Sequence, residues 1–500
     1  MAGSGSTRHH LLQWTVSLVL ITWAGFFLPV KAQDSNLTCS DFQTSGIFQD
    51  NELQVQFLLF TFQNQNCGHF INLSKPESIK DSPFNSSRAT KILIHGFRAL
   101  GTKPSWIDDM VDALLGAVDA NVVAVDWVSG STAKYNQAVE NIPRLSNKVA
   151  ELINRLLELG VTEESLHMIG ISLGAHAAGL VGQMFGGRIG HITGLDPAGY
   201  KFKKAGPEER LDPRDAIFVE AIHTDTDSFG ISIPVGHVDY FINGGRDQPG
   251  CPSVRHLYGF VICDHMRSVT IYITALRGIC SFTGFPCPNY KEFLSGQCVN
   301  CSVSSPLACP RIAREEILAN PRTQIISQEA QVFLMTTSKD PFCAHHMLLV
   351  FSLTEPRDST ITIEIELKSE TSSSKAKVSI PNGHVEGRTV LAHDVPLCEL
   401  QTAVLRYPGS IIRFWKGKTE ISGTFCVSEM PLKDRNELFC LPNTITLTGN
   451  SRHSFNLEAD GRLGCHNPTL AKKSNTQTNS PPTGPTNEIL TTTQVSNPPI

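Results

Sequence analysis

Between about residue 90 and residue 225, short apolar runs alternate with segments of helical period. Lys91-Ile92-Leu93-Ile94 reads as a strand ending at His95-Gly96-Phe97, and 121–127 as a second strand. The stretch 142–159 carries Leu145, Val149, Leu152, Ile153 and Leu156 on one face and predicts an amphipathic helix. Runs at 166–170, 191–195 and 216–222 predict three further strands. Near-continuous apolar strands separated by helices imply a mostly parallel sheet covered on both faces. A cysteine-rich connector, 287–309, follows. From about 320 the period changes to two, as in Ile361-Thr362-Ile363-Glu364-Ile365-Glu366-Leu367, with frequent turns. That pattern predicts a separate β-sandwich. The organisation read from these patterns is an α/β domain over 33–320, a β-sandwich over 321–465 and a tail over 466–500. The tail is rich in Thr, Asn, Pro and Ser, holds almost no large apolar residues, and should be disordered. Its Thr and Pro content suits O-glycosylation.

The first 32 residues change the picture of where the chain works. Arg8-His9-His10 precedes an apolar run from Leu11 to Val30, and Val30-Lys31-Ala32 places small residues before a cut at Gln33. This reads as a secretory signal peptide, with a retained signal anchor as the alternative. All 14 cysteines follow that cut. Cys251/Cys263, Cys287/Cys298 and Cys301/Cys309 are close enough to read as short disulfide loops in an oxidising compartment. Cys39–Cys67 and Cys398–Cys426 are further pairings; Cys280, Cys343, Cys440 and Cys465 are left without a partner. Zinc is disfavoured, because Cys298/Cys301 is a lone Cys-x2-Cys. Asn36, Asn72 and Asn85 lie in glycosylation sequons, and Asn300 lies in one between two cysteines. With 41% hydrophobic and 18% charged residues the chain is globular, and its net charge of −5 gives no reason to expect a nucleic-acid partner.

The chemistry is concentrated at Gly170-Ile171-Ser172-Leu173-Gly174. An apolar strand before it and a helix-forming stretch from Ala175 make this a nucleophile elbow, with Ser172 exposed at the C-terminal edge of the sheet. A serine hydroxyl needs a histidine to take its proton and an acid to orient that histidine. Asp196 ends the next strand, in Gly194-Leu195-Asp196-Pro197, and parallel strands deliver their C-terminal ends to one edge. For the histidine, spacing leaves His223, His237 and His265 open. The oxyanion donors follow from position: the Leu173 amide after the nucleophile, and the Phe97 amide at the end of the earlier strand. Such chemistry requires no cofactor.

Together these pieces resemble the pancreatic/lipoprotein lipase family. The matching residues are Ile94-His95-Gly96-Phe97, Val125-Asp126-Trp127, 170–176, 192–199, Pro234-Val235-Gly236-His237-Val238-Asp239, 243–251 and Cys263-Asp264-His265-Met266-Arg267. The resemblance covers most of 39–465 and selects His265 as the base. It implies an α/β-hydrolase domain followed by a PLAT-like β-sandwich that meets lipid surfaces, either a phospholipid membrane or a lipoprotein. It also makes Cys251–Cys263 the disulfide that closes a lid. That lid and the loop 223–234 are both shorter than in the triacylglycerol lipases of the family, which points to the phospholipase A1 branch. Within it, 96–108 and 220–227 are most similar to members that act on phosphatidylserine. The expected reaction is hydrolysis of the sn-1 acyl ester of phosphatidylserine, or of 1-acyl lysophosphatidylserine. A broader phospholipase A1 or a triacylglycerol lipase is one alternative, and a non-catalytic lipid-binding protein is another. Arg210-Leu211-Asp212-Pro213-Arg214-Asp215 resembles the family's structural calcium loop, with Glu208 or Glu209 out of step upstream. Dense basic clusters of the heparin-binding members are missing, so strong heparin binding is not expected.

Overall fold

The computed structural model describes residues 39–46, 52–75, 77–132, 134–252, 262–301, 309–313, 329–408, 420–432 and 438–457. The expected signal peptide, Asn36, the interior of the expected lid at 253–261, Cys465 and the expected tail lie outside the described residues. The chain forms two compact units, one of 1–293 with 301–343, the other of 294–300 with 344–500.

The first unit is built on a ten-stranded sheet. Its strands are β1 (Gln56–Phe60), β2 (His69–Ile71), β3 (Ala89–Ile94), β4 (Ala120–Asp126), β5 (Leu166–Ile171), β6 (His191–Leu195), β7 (Phe218–His223), β8 (Val238–Ile242), β9 (Phe285–Pro286) and β10 (Ala330–Leu334). The order is β2-β1-β4-β3-β5-β6-β7-β8-β10-β9. From β4 through β10 every neighbouring pair is parallel, and β1, β2 and β9 cap the edges antiparallel. Side chains alternate across the sheet. Ile92, Met168, Ile192 and Val219 pack with Leu145, Val149 and Val181 of helices α2 (Tyr135–Glu158) and α3 (Leu173–Met184). Leu93, Ile169, Leu195 and Ile222 pack with Met110, Leu114 and Ile271 of α1 (Ile107–Ala117) and α4 (Cys263–Leu276). Helix α2 begins seven residues before the predicted 142, at Tyr135, and carries Pro143 inside it. Buried Ala138 and Asn141 hold the added turn, the Asn141 amide donating to the Gly130 carbonyl at 2.8 Å.

The expected boundary at 320/321 is corrected. Ala330–Leu334 pairs parallel with β8 and belongs to the first sheet, which moves the break to 343/344. A buried edge-side strand of five residues has no periodicity of its own to show which sheet owns it.

In the second unit, one sheet runs β14 (Glu386–His393), β11 (His345–Leu353), β16 (Glu420–Glu429), β17 (Phe439–Cys440), with β18 (Ile445–Thr448) also on β16. The other runs β13 (Ser373–Ile380), β12 (Ile361–Lys368), β15 (Thr402–Arg406), β19 (Arg452–Asn456). Ile361, Ile363, Ile365 and Leu367 turn inward from β12 onto a core with Phe351 and Phe425, and the residues between them face out. This is the predicted alternation.

Disulfides join Cys39–Cys67, Cys251–Cys263, Cys280–Cys343, Cys301–Cys309 and Cys426–Cys440. Cys287, Cys298 and Cys398 are each disulfide-bonded. The Cys398–Cys426 pairing is therefore corrected: Cys426 lies directly opposite Cys440 in the β16–β17 register. Among the described residues no helix is long and apolar enough to cross a membrane.

Candidate active site

The elbow lies between β5 and α3. Ser172 has φ 55° and ψ −116°, a strained conformation for a residue with a side chain. Its glycines are required by close approach. A Cβ on Gly174 would strike the Ile94 carbonyl and lie 2.8 Å from the His95 oxygen; one on Gly170 would strike the Gly174 carbonyl. The helix thus starts at Leu173, two residues earlier than expected, with its N-terminus against the end of β3. The Ser172 amide donates to the Leu195 carbonyl at 3.0 Å, tying Ser172 to the end of the strand that leads into Asp196.

Asp196 is fully buried and also has positive φ, 40°. Its Oδ2 lies 2.6 Å from His265 Nδ1, and its Oδ1 accepts from the Thr224 and Asp225 amides at 2.8 and 3.1 Å. With Nδ1 engaged, Nε2 is the nitrogen left for Ser172, and Ser172 and His265 face one cavity. His223 and His237, which spacing had left open, are used elsewhere. His223 Nε2 lies 2.7 Å from Asp239 Oδ1, its ring stacked on Phe241, and His237 Nδ1 accepts from the Val219 amide. His265 sits in the first turn of α4, and that helix end is held by the Cys251–Cys263 disulfide and by the Gln248 amide donating to Asp264 at 2.6 Å. Burial disfavours the His265 imidazolium, but the Asp196 hydrogen bond and the charges of Asp196 and Asp225 outweigh it and raise the pKa.

Gly96 packs on Ser172 so closely that a Cβ there would lie 2.7 Å from Ser172 Cβ. This sets the Gly96–Phe97 peptide beside the Ser172 side chain. Among the described residues neither the Phe97 nor the Leu173 amide donates to a backbone oxygen, which leaves both for a ligand. His95 fixes this strand end. Its Nδ1 contacts the Gly96 carbonyl, its Nε2 accepts from the Trp127 amide, and burial lowers its pKa to about 3, so it is neutral. His176 ties the elbow helix to the loop after β6, with Nε2 2.8 Å from the Ala198 oxygen. The cavity over Ser172 holds about 490 Å³ and is largely walled by Phe97, Leu100, Trp106, Ile171, Phe229 and Met266. That is room and chemistry for an acyl chain.

Sequence reasoning missed Asp225. Its carboxylate shares a cluster with Asp196 and His265, their ligating atoms all within 4.8 Å of one another. Burial first, then repulsion by Asp196, pushes it up to about 7. The run His223-Thr224-Asp225-Thr226-Asp227 held a signal, but two acids two residues apart cannot be ranked without knowing which faces inward.

At the expected calcium loop, Asp212 and Asp215 form a capping box, the Asp212 amide donating to Asp215 Oδ2 at 2.8 Å. The Asp212 carboxylate faces Arg214 Nε at 2.7 Å and Arg210 Nη1 at 3.7 Å. Two guanidiniums thus share the Asp212 carboxylate in this arrangement. Asn72 and Asn85 are half-buried, each side-chain oxygen closing a turn onto the serine two residues on.

The sequence matches the Lipase family model over residues 24–342. It is 49% identical to Phospholipase A1 member A of Bos taurus, over 84% of this chain and 92% of that one. It is 46% identical to Phospholipase A1 member A of Homo sapiens, over 85% and 92%. Lipase member H-A of Xenopus laevis is 40% identical over 66% and 72%. The chain belongs to the lipase family.

Proposed function

We propose that this protein is a secreted phospholipase A1 that hydrolyses the sn-1 acyl ester of phosphatidylserine, giving 2-acyl lysophosphatidylserine and a fatty acid. The observation that carries the reaction is the Asp196–His265 contact of 2.6 Å facing the same apolar cavity as the strained Ser172. The similarity to proteins named Phospholipase A1 member A supports the substrate class, and the short lid between Cys251 and Cys263 supports a polar headgroup over a triacylglycerol.

Ser172 Oγ attacks the ester carbonyl carbon while its proton passes to His265 Nε2. The carbonyl oxygen becomes an oxyanion held by the Phe97 and Leu173 amides. Asp196 keeps the proton on Nδ1 and stabilises the imidazolium. The tetrahedral intermediate expels the lysophospholipid alkoxide, which takes the proton from His265. Water then attacks the acyl-serine, its proton going to His265 and on to Ser172 as the fatty acid leaves. The signal peptide and disulfides fit an extracellular enzyme meeting membranes or lipoproteins, with N-linked glycans at Asn36, Asn72 and Asn85.

The test uses the purified secreted protein and mixed-acyl phosphatidylserine, phosphatidylcholine, phosphatidic acid and triacylglycerol, with the released fatty acids identified by mass spectrometry. Release of the sn-1 chain from phosphatidylserine is the expected result. Triacylglycerol cleaved faster than any phospholipid overturns the substrate assignment. Ser172→Ala that folds but keeps its esterase rate overturns the mechanism.

A further inference from the structure

The apolar side chains of a folded surface are normally scattered. At the mouth of the catalytic cavity they are not. Leu100, Tyr200 and Phe229 all line that cavity, and they are 61%, 61% and 39% exposed. Tyr200 then leads into Lys201-Phe202-Lys203-Lys204, whose three lysines are exposed. We propose that the turn 200–204, with Leu100 and Phe229, is a docking surface for an anionic phospholipid bilayer, placing the bilayer at the cavity mouth. This deepens the phospholipase reading above and rests on it.

The turn is anchored rather than loose. Phe202 is buried and stacks on His176 with ring centroids 3.8 Å apart. Tyr200 packs on Tyr135 at 5.7 Å, and Tyr135 on Phe97 at 5.4 Å. A row of rings therefore links the turn to Phe97, which follows the glycine packed on Ser172. Among the described residues none of the three lysines is in an ion pair. Lys203 Nζ donates to the Thr226 carbonyl at 3.2 Å, and Lys201 Nζ lies 5.6 Å over the Tyr200 ring. The nearest exposed acids along the chain are Glu208 and Glu209, on the following turn, and Asp227 is exposed on the loop reached by Lys203, whereas Asp196 upstream is buried. Three unpaired lysines in four positions run against a chain of net charge −5, so this cationic spot is local.

That combination suits a membrane surface. Lysines near an anionic leaflet are attracted to its headgroups, and their aliphatic stems lie along apolar surface. Aromatic and aliphatic tips enter the headgroup boundary. An acyl chain can then pass from the bilayer into the cavity past Tyr200 and Leu100.

The experiment uses the full secreted chain carrying Ser172→Ala, so that lipid is not consumed, and sediments it with phosphatidylcholine vesicles with and without phosphatidylserine. Tight binding only to the anionic vesicles is expected, with phosphatidylglycerol serving equally well. Replacing Lys201, Lys203 and Lys204 together by Gln should weaken anionic-vesicle binding by about a hundredfold. With Ser172 present, the same three changes should lower the vesicle rate far more than the rate on short-chain monomeric phosphatidylserine. Equal vesicle binding by parent and variant, or an equal fall in both rates, overturns the proposal. So does a variant that loses retention on a heparin column while its vesicle binding stays intact. Vesicle binding that depends on the lysines while phosphatidylserine is not cleaved would reject the headgroup assignment and leave the docking surface standing.

Discussion

Gly230 lies against the carboxylate of Asp196 so closely that a Cβ at that position would sit 2.6 Å from Oδ1 and 2.7 Å from Oδ2. The contact is held from both sides. The Gly230 amide donates to the Asp225 carbonyl at 2.8 Å, and the Gly199 amide to the Phe229 carbonyl at 2.7 Å. Gly230→Ala must therefore displace the acid and, through it, His265. The expected result is a fall in kcat of about a hundredfold, the cost of a displacement near 1 Å in a reacting group. The variant should still unfold in one cooperative transition, so that the loss of rate is not a loss of fold. Steady-state rates on a soluble ester, with a thermal melt alongside, check this; an unchanged rate would show that the carboxylate is free to adjust.

Asp225 bears on the pH profile. Its charge is among the causes that raise His265, after the opposing effect of burial and the dominant help of Asp196. A general base works only when neutral, so the acid limb of kcat/KM reports this raised histidine. Asp225→Asn removes one negative charge from the cluster, lowers the His265 pKa, and should move that limb to lower pH. The measurement is kcat/KM against pH for parent and variant on a soluble ester. A limb that stays in place or moves up would mean that Asp225 does not act on His265 electrostatically.

What the sequence disclosed and what it hid follow from the range of the interactions involved. The elbow pattern is local: Gly170, Ser172 and Gly174 lie within five residues, and Gly170 is dictated by a clash with the helix that follows at once, although the clash that dictates Gly174 comes from Ile94 and His95 at the end of β3. Asp196 follows from topology, because β5 and β6 are parallel neighbours that end together. His265 does not, since it is 69 residues beyond Asp196 and only the resemblance separated it from His223 and His237. Gly230 and Asp225 were invisible for the same reason, their importance lying in which atom of Asp196 they touch. The strand Ala330–Leu334 was assigned to the wrong unit because its partner, β8, is far away in sequence. Cys280–Cys343, whose ends are 63 positions apart in sequence, was equally out of reach.

Gly96 tests the oxyanion assignment. A methyl group there would lie 2.7 Å from Ser172 Cβ and 3.3 Å from Oγ, pushing the Gly96–Phe97 peptide off the reacting oxygen. Gly96→Ala should lower kcat by about a hundredfold to a thousandfold, as expected for loss of an oxyanion donor. Labelling by a fluorophosphonate probe should slow in parallel, because the same amide stabilises its oxyanion. Normal labelling and turnover would remove the Phe97 amide from the mechanism.

Acid stability depends on a buried histidine pair in the first unit. On the sheet face away from α2 and α3, His167 stacks on His191 with ring centroids 3.8 Å apart. Lys91 Nζ lies 3.4 Å from His167 Nδ1, Thr193 Oγ1 lies 2.8 Å from His167 Nε2, and Glu220 lies 3.4 Å from His191. Tyr272 of α4 faces the same cluster. Burial, then the positive influence of His191 and Lys91, holds His167 well below its ordinary 6.5. The native state therefore refuses a proton that the unfolded chain accepts as pH falls through 6.5. Stability from His167 is fully present above that pH and is lost below it, by up to about 1.4 kcal/mol per pH unit. Asp215 and Asp225 act in the opposite sense: pushed up to about 7 mainly by burial, they take protons in the native state first and add stability on acidification. The net slope thus mixes both signs, and the informative quantity is the difference between parent and His167→Gln. Glutamine can still reach Thr193 but does not titrate, so the variant's deficit in unfolding free energy should be largest near neutral pH and shrink as the pH is lowered toward 5. Urea unfolding of both proteins across that range measures it. A deficit that is constant with pH would mean that His167 takes up its proton in the folded protein as readily as in the unfolded chain.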